Sequence, residues 1–226
     1  MEIVLNSAIR SQTRAQFDLI APLYPTLERL VFGVHLDDAR RAFIDDVLKA
    51  DRALLVGEGN GRFLKSVLTR KLVGSLKVVE KSKAMIRLTK SRIGGTGKVA
   101  LELIEADFLR CRLGREFDCV VTHFFLDLFN PPTQLAIIKK IGEITTEKGT
   151  WINVDFTPPR TMAGRALMWL QYTFFRIVSR VEARRCFDES AMATQNGWIV
   201  VANRRFLDGF VVAKRYKKRR RWMESA

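Results

Sequence analysis

Cysteine and histidine are scarce in this chain: Cys111, Cys119 and Cys186, with His35 and His123, among 226 residues. The cysteines share no CxxC spacing and form no cluster with the histidines, which excludes a zinc site and any metal is left out of the reading. Their odd number and scattered placement exclude a disulfide framework and suit a reducing compartment. Each lies in or beside an apolar run and is expected in the core. Long hydrophobic runs are also missing. The longest, Met162 to Val178, is broken by Arg165, Gln171 and Arg176, short of the roughly 20 mostly apolar residues of a spanning helix. The opening residues Met1-Glu2-Ile3-Val4-Leu5-Asn6 lack the basic start and apolar middle of a secretory signal, so a cytoplasmic location is expected. Low-complexity tracts and internal repeats are absent too, and the length suits one folded α/β domain.

Negative charge is the remaining deficit. Thirty-nine Lys and Arg face 24 Asp and Glu, a formal net charge of +15. Part of the excess is local, in Lys214-Arg215-Tyr216-Lys217-Lys218-Arg219-Arg220-Arg221. Two readings of this run stand side by side. It holds an anionic membrane surface or a nucleic acid, or it is a solvated tail that aids solubility.

What the chain does have is alternation. Short apolar runs at Ala53–Gly57, Leu76–Glu80, Leu101–Ile104, Cys119–Thr122 and Thr150–Phe156 are separated by helically spaced segments at Arg62–Leu72, Lys83–Arg92 and Pro132–Thr145. This pattern predicts a parallel sheet with helices on both faces, and ligands at the carboxyl edge of its strands. An amphipathic helix is predicted over Asp37–Lys49. At the other end, Trp198–Phe206 and Phe210–Tyr216 flank Leu207-Asp208-Gly209, and Asp-Gly between β-prone runs predicts a hairpin.

The chemistry-bearing residues fall at the ends of the predicted strands. Gly57-Glu58-Gly59-Asn60-Gly61 follows the first and opens a helix, so close-approaching backbone and helix N–H groups are available to a ligand. Arg62 stands where a dinucleotide fingerprint needs its third glycine. Glu80 ends the second strand, about 20 residues on, where a carboxylate accepts from ribose hydroxyls. Asp107 and Phe108 follow the third, with a carboxylate and a ring suited to an adenine amine and face.

In these segments the sequence resembles the class I S-adenosylmethionine-dependent methyltransferases. Leu54–Leu64 is similar to the family's first motif, Val78-Val79-Glu80-Lys81-Ser82 to the second, Glu105-Ala106-Asp107-Phe108 to the adenine motif and Phe117–Val121 to the next strand. Phe17–Tyr24 is similar to the amino-terminal element of the ubiquinone/menaquinone C-methyltransferase group. The resemblance implies an α/β, Rossmann-like three-layer sandwich: a mostly parallel seven-stranded sheet, an antiparallel terminal hairpin and a helical cover insertion. It implies one domain over 1–216, with a helical cap at 1–50, a substrate-side insertion at 157–196, and a basic tail at 217–226. It implies S-adenosylmethionine as cofactor and S-adenosylhomocysteine as product, held by Tyr24, Gly57, Glu58, Gly59, Gly61, Glu80, Lys81, Asp107, Phe108 and Thr122. One departure is Leu55, which stands where the family usually has an acid that braces the loop; Glu58 is the nearest substitute.

For the reacting end, the segment after the fourth strand offers His123 as a proton acceptor and Asp127 to orient it or act alone. The alternative reading makes His123 a strand cap and Asp127 a helix cap. His35, in a turn-like stretch, reads as structural or surface. The insertion carries Trp169, Tyr172 and Arg176, which with Phe124 are expected to line an apolar substrate pocket, or to cover the sheet. A small, hydrophobic or lipid-like acceptor is therefore the first expectation, with peripheral membrane contact through the basic tail. An RNA methyltransferase is the second, although Asn130-Pro131-Pro132-Thr133 lacks the stacking aromatic of a base-methylation motif. A non-catalytic cofactor-binding protein of the same fold is the third. Oligomeric state is not legible in the sequence.

Overall fold

The computed structural model describes residues 35–70, 74–94, 100–158 and 188–219. It forms a seven-stranded sheet between helical layers. The helices are α1 (His35–Arg41), α2 (Ile44–Leu48), α3 (Arg62–Leu68), α4 (Lys83–Ile93), α5 (Pro131–Ile144) and α6 (Ser190–Gln195). The strands are β1 (Arg52–Val56), β2 (Ser75–Glu80), β3 (Ala100–Glu105), β4 (Phe117–His123), β5 (Thr145–Phe156), β6 (Trp198–Phe206) and β7 (Val211–Lys218). Their order across the sheet is β3-β2-β1-β4-β5-β7-β6. β1 to β5 pair in parallel, and β7 runs antiparallel between β5 and β6.

The central strands are apolar without a break because both their faces are covered. Along β1, Ala53 and Leu55 face a core shared with Leu36, Ala39, Val47, Phe63 and Val67 of the first three helices and Phe43 between the first two. Leu54 and Val56 face the opposite core, with Ile137, Ile138, Ile141 and Ile144 of α5. That second core is anchored by Trp151, which stacks on Tyr216 at 4.5 Å and meets Trp198 edge-on at 5.4 Å. Parallel strands place the carboxyl ends of β1, β2, β3, β4 and β5 on one edge, and the chemistry gathers there.

The predicted strands and the Asp-Gly hairpin are present, with four differences. The helix expected over Asp37–Lys49 is two short helices, because the chain breaks at Phe43 (φ −128°, ψ 33°). The described part of the third helix ends at Leu68, with Thr69 as its cap, instead of running to Leu72. β5 starts at Thr145, directly off α5, and Thr145 Oγ1 donates to the Ile141 carbonyl at 2.6 Å. Finally, β7 passes the expected domain limit at 216. Lys217 pairs with Thr150 and Lys218 with Trp198, so the basic run begins inside the sheet. Among the described residues no helix is long and apolar enough to cross a membrane.

Candidate functional site

The glycine loop between β1 and α3 is held from three sides. Gly57, Gly59 and Gly61 have φ of 66°, 67° and 77°, in the left-handed region that glycine enters without penalty. A Cβ on Gly57 would lie 2.3 Å from Phe125 Cδ2, and one on Gly61 2.9 Å from Thr89 Cγ2, whereas one on Gly59 would meet nothing within 4 Å. The loop is thus packed at its two ends and open at its centre. Gly59 itself is fixed through its peptide groups. Its amide donates to Glu80 Oε2 at 3.0 Å, and its carbonyl accepts from Thr89 Oγ1 at 2.9 Å.

Glu80, the last residue of β2, also accepts from the Ser82 amide at 2.8 Å. Burial raises its pKa, while the hydrogen bonds from Ser82, Gly59 and Lys81 oppose that rise. Each carboxylate oxygen retains a lone pair beyond the backbone bond shown, which fits a group that accepts from a vicinal diol. Leu55 is buried in the first core, where a carboxylate would find only apolar neighbours. Glu58 takes over the bracing instead: its Oε1 accepts from the Leu64 amide at 2.9 Å, at the start of α3. Burial pushes the Glu58 carboxyl up to about 7, against the Leu64 hydrogen bond and the nearby Arg40 charge.

On β3 the picture is different. Asp107 is already engaged, accepting from Lys81 Nζ at 3.0 Å and from the Leu109 amide at 3.1 Å. Partial burial works against the Asp107 charge, but the Lys81 hydrogen bond and charge outweigh it and hold its pKa low. Phe108 is buried, edge-on to Phe125 at 6.3 Å, with the Lys140 ammonium 5.0 Å over its ring. That ring is core, not an open stacking face. Lys140 Nζ also donates to the carbonyls of Phe108, Leu109 and Cys111, fixing the whole turn.

At β4 the expectations for His123 and Asp127 change. Thr122 is fully buried, its hydroxyl donating to Asn153 Oδ1 at 2.8 Å and accepting from Trp151 Nε1 at 2.9 Å. His123 is 7% exposed, packs edge-on against Phe63 at 4.5 Å, and neither ring nitrogen has a partner among the described residues. Burial first, then the Arg40 charge, push its pKa well below 6.5. This makes it a neutral, weakly basic imidazole and not a strand cap. Asp127 neither orients His123 nor caps α5, because Asn130 Oδ1 caps that helix through the Thr133 amide at 3.0 Å. Its carboxyl is buried near that of Asp155. Phe124 bridges the two sides, with the Arg40 guanidinium 4.8 Å over its ring and Phe156 5.0 Å away.

The structure therefore gathers Gly57, Glu58, Gly59, Gly61, Glu80, Lys81 and Asp107 along successive strand ends, with Phe124 and Asp127 beyond β4. Tyr24, Trp169, Tyr172 and Arg176 lie outside the described residues, as does Cys186. Of the other cysteines Cys119 is buried, and Cys111 is partly exposed. Three polar residues escaped the sequence reading, Thr89, Asp155 and Glu189, and Lys214 was read only as part of the basic run. For Asp155 a signal existed, since Asn153 and Asp155 alternate within the otherwise apolar run Trp151–Phe156.

Comparison with known proteins now has a geometry to rest on. No protein-family model matches the sequence, and no curated protein sequence does. Solved structures do match it. The mitomycin 7-O-methyltransferase MmcR superposes with a TM-score of 0.69 at 17% identity, over 91% of this chain and 60% of its own. The chain thus spans well under two thirds of that enzyme's length. A putative methyltransferase of Haloferax volcanii, in complex with the Trm112 activator, gives 0.70 at 13% identity, over 90% and 98%. The 1,6-didemethyltoxoflavin N1-methyltransferase of Burkholderia thailandensis, solved with S-adenosylhomocysteine, gives 0.65 at 12%, over 93% and 90%.

The fold is the Rossmann-like fold of class I S-adenosylmethionine-dependent methyltransferases. The seven-stranded order and antiparallel last pair belong to it, and the open glycine loop facing Glu80 lies where such a fold places its ligand.

Proposed function

We propose that the chain is a methyltransferase that transfers a methyl group from S-adenosylmethionine to a small, apolar acceptor by direct displacement. The observation that carries the reading is Glu80: its carboxylate is fixed by the amides of Gly59 and Ser82 beside a glycine loop whose centre is open. That arrangement suits a nucleoside diol, and the solved structures of this fold, one with bound S-adenosylhomocysteine, support the choice. The cofactor brings an activated methyl group on a sulfonium, so the protein's task is chiefly alignment. Glu80 orients the ribose, the Gly57–Gly61 loop approaches the ligand with its backbone, and Glu58 braces that loop through the Leu64 amide. Phe124, with Trp169, Tyr172 and Arg176, is assigned to the acceptor side. Asp127 is assigned as proton acceptor in preference to His123, whose surroundings resist protonation.

A small acceptor is preferred to RNA or to a lipid surface because four cations of the basic run, Lys214, Arg215, Lys217 and Lys218, are engaged within the protein itself. Lys214 pairs with Asp188 and Glu189, Arg215 with Asp46, Lys217 donates to the Lys148 carbonyl and Lys218 to that of Thr145. The test is calorimetric titration of the chain with S-adenosylhomocysteine, followed by methyl-labelled cofactor offered to small-molecule, lipid and RNA pools. Saturable binding and label in the small-molecule pool are expected. Absence of binding would end the cofactor reading, and label confined to RNA would end the acceptor reading.

A further inference from the structure

The turn that follows β3 closes around a lysine from another element. Between Asp107 and Cys111 the chain doubles back, the amides of Arg110 and Cys111 donating to the Asp107 carbonyl at 3.0 and 2.9 Å. The carbonyls of Phe108, Leu109 and Cys111 converge on Lys140 Nζ, which reaches them from α5. An ammonium carries three N–H donors on a compact head, and here each has a carbonyl to meet.

Packing does little to hold the middle of this turn. Phe108 is buried, but Leu109 leaves 37% of its surface exposed. Asp107 nonetheless depends on Leu109, whose amide donates to Asp107 Oδ1 at 3.1 Å. The Leu109 carbonyl in turn accepts from Lys140 Nζ at 3.2 Å. Two hydrogen bonds thus lead from Lys140 through Leu109 to one oxygen of the Asp107 carboxylate. With Oδ1 held, the direction of Oδ2 is set as well. Oδ2 accepts from Lys81 Nζ at 3.0 Å, and that lysine side chain is 75% exposed, so solvent screens the pair. A further lone pair on Oδ2 remains for a ligand. The turn is also tied to the ribose acid, because the Ala106 amide donates to the main-chain carbonyl of Glu80 at 3.1 Å. Glu80 and Glu105 are partners in the β2–β3 register, so the two carboxylates stand at fixed places on adjacent strand ends.

We propose that Lys140 is a positioning residue for the cofactor's base: it holds the turn so that Asp107 Oδ2 meets the exocyclic amine of adenine, and thereby sets a preference for a 6-amino over a 6-oxo purine. The inference rests on the S-adenosylmethionine reading and adds to it the residue that enforces base recognition. A carboxylate oxygen accepts from a 6-amino group, whereas a 6-oxo group confronts it with lone pairs of its own. Discrimination of this kind lasts only while the acceptor is kept in place. Without Lys140 three carbonyls lose their donor, Leu109 loses its tether and Asp107 is free to turn away. Lys81, a donor, then serves an oxo group as readily as the carboxylate served an amine. Lys140 itself stays behind the turn, its ammonium 5.0 Å from the centre of the buried Phe108 ring, and acts through Leu109 and Asp107.

The test uses the full chain, titrated by calorimetry with S-adenosylhomocysteine and with its 6-oxo analogue, S-inosylhomocysteine. Wild type is expected to prefer the 6-amino ligand by at least about thirtyfold. Lys140→Met keeps the aliphatic stem and removes all three donors. Its affinity for S-adenosylhomocysteine should fall about tenfold, while that for the 6-oxo analogue stays within about threefold of wild type. Lys140→Gln, whose amide has too few donors for three carbonyls, reads the same ratio should the methionine variant not fold. A loss shared equally by both ligands marks a structural residue only and overturns the proposal. So does a variant that keeps the wild-type preference, or a wild-type chain that binds both ligands alike. A wild-type chain that binds neither loses the cofactor reading itself, whereas normal S-adenosylhomocysteine binding with the wrong ratio loses only this inference.

Discussion

Three glycines in one loop share nearly the same φ, yet they should not respond alike to substitution. At Gly57 a methyl group meets both an unfavourable φ and the Phe125 ring at 2.3 Å. Gly57→Ala is therefore expected to lose about 2–4 kcal/mol in urea unfolding, combining backbone strain with overpacking. Gly59→Ala meets only the strain and should lose about 1 kcal/mol, so the difference between the two isolates the ring contact. Glu80→Ala leaves the part-buried Gly59 amide without its acceptor and removes the diol partner. S-adenosylhomocysteine affinity should fall at least about tenfold by calorimetry, with a stability loss of about 1–3 kcal/mol. Glu58 makes a pH prediction. Its folded pKa, about 7, lies above the ordinary 4.5, so the folded state keeps a proton that the unfolded state has released. Its contribution is full below the ordinary value and is lost as pH rises from there to neutrality, by at most about 3 kcal/mol. Unfolding free energies measured across that window should fall less steeply for Glu58→Gln than for wild type.

Between elements, the join of α6 to the sheet depends on one lysine. Lys214 Nζ donates to Asp188 Oδ1 at 2.7 Å, Glu189 Oε2 at 3.2 Å and Ser190 Oγ at 2.7 Å, while Glu189 Oε1 accepts from Asn153 Nδ2 and the Tyr216 hydroxyl. Partial burial works against the Asp188 charge, but hydrogen bonds from Lys214 and Ser190 hold it down to about 2. Lys214→Met strands Glu189 as a buried, uncompensated charge and should lose about 3–5 kcal/mol in denaturant unfolding. Adding Glu189→Gln should recover part of that loss, since the two residues act as a unit. None of this was visible in the chain's order. Lys214 belonged to a conspicuous basic run and Glu189 to a segment with no periodic pattern, and only the pairing of β5 with β7 brings them together. The strands themselves were legible because two-sided burial writes them as unbroken apolar runs. Gly57, Glu80 and Asp107 were legible because each follows such a run. The split at Phe43 was not, because Ala39, Phe43 and Val47 keep helical spacing across a break in the backbone. Asp155 was readable in principle as an acid in an apolar strand, but its partners, two amides 29 and 28 residues earlier, are set by the fold alone.

For the molecule as a whole, the arrangement of the basic run matters more than its charge. β7 is interior to the sheet, with β5 on one side and β6 on the other. A chain ending after Arg219 keeps every contact described here for that strand, including the Arg219 amide on the Gly197 carbonyl, and should melt within a few degrees of the full chain. Ending it after Gly209 removes the strand that joins β6 to the rest, and no cooperative melting transition is expected by calorimetry.

That interior place also orders events during synthesis. β6 emerges from the ribosome before β7, yet it cannot reach the sheet without it, so the open flank of β5 stays bare until about residue 218 has cleared the exit. Over that interval the nascent chain displays a long unpaired strand edge beside Trp151 and Ile152, the kind of surface on which partly made proteins stick together. The Asp208-Gly209 turn shortens the exposure, because it delivers β6 and β7 to that flank as a ready-made pair.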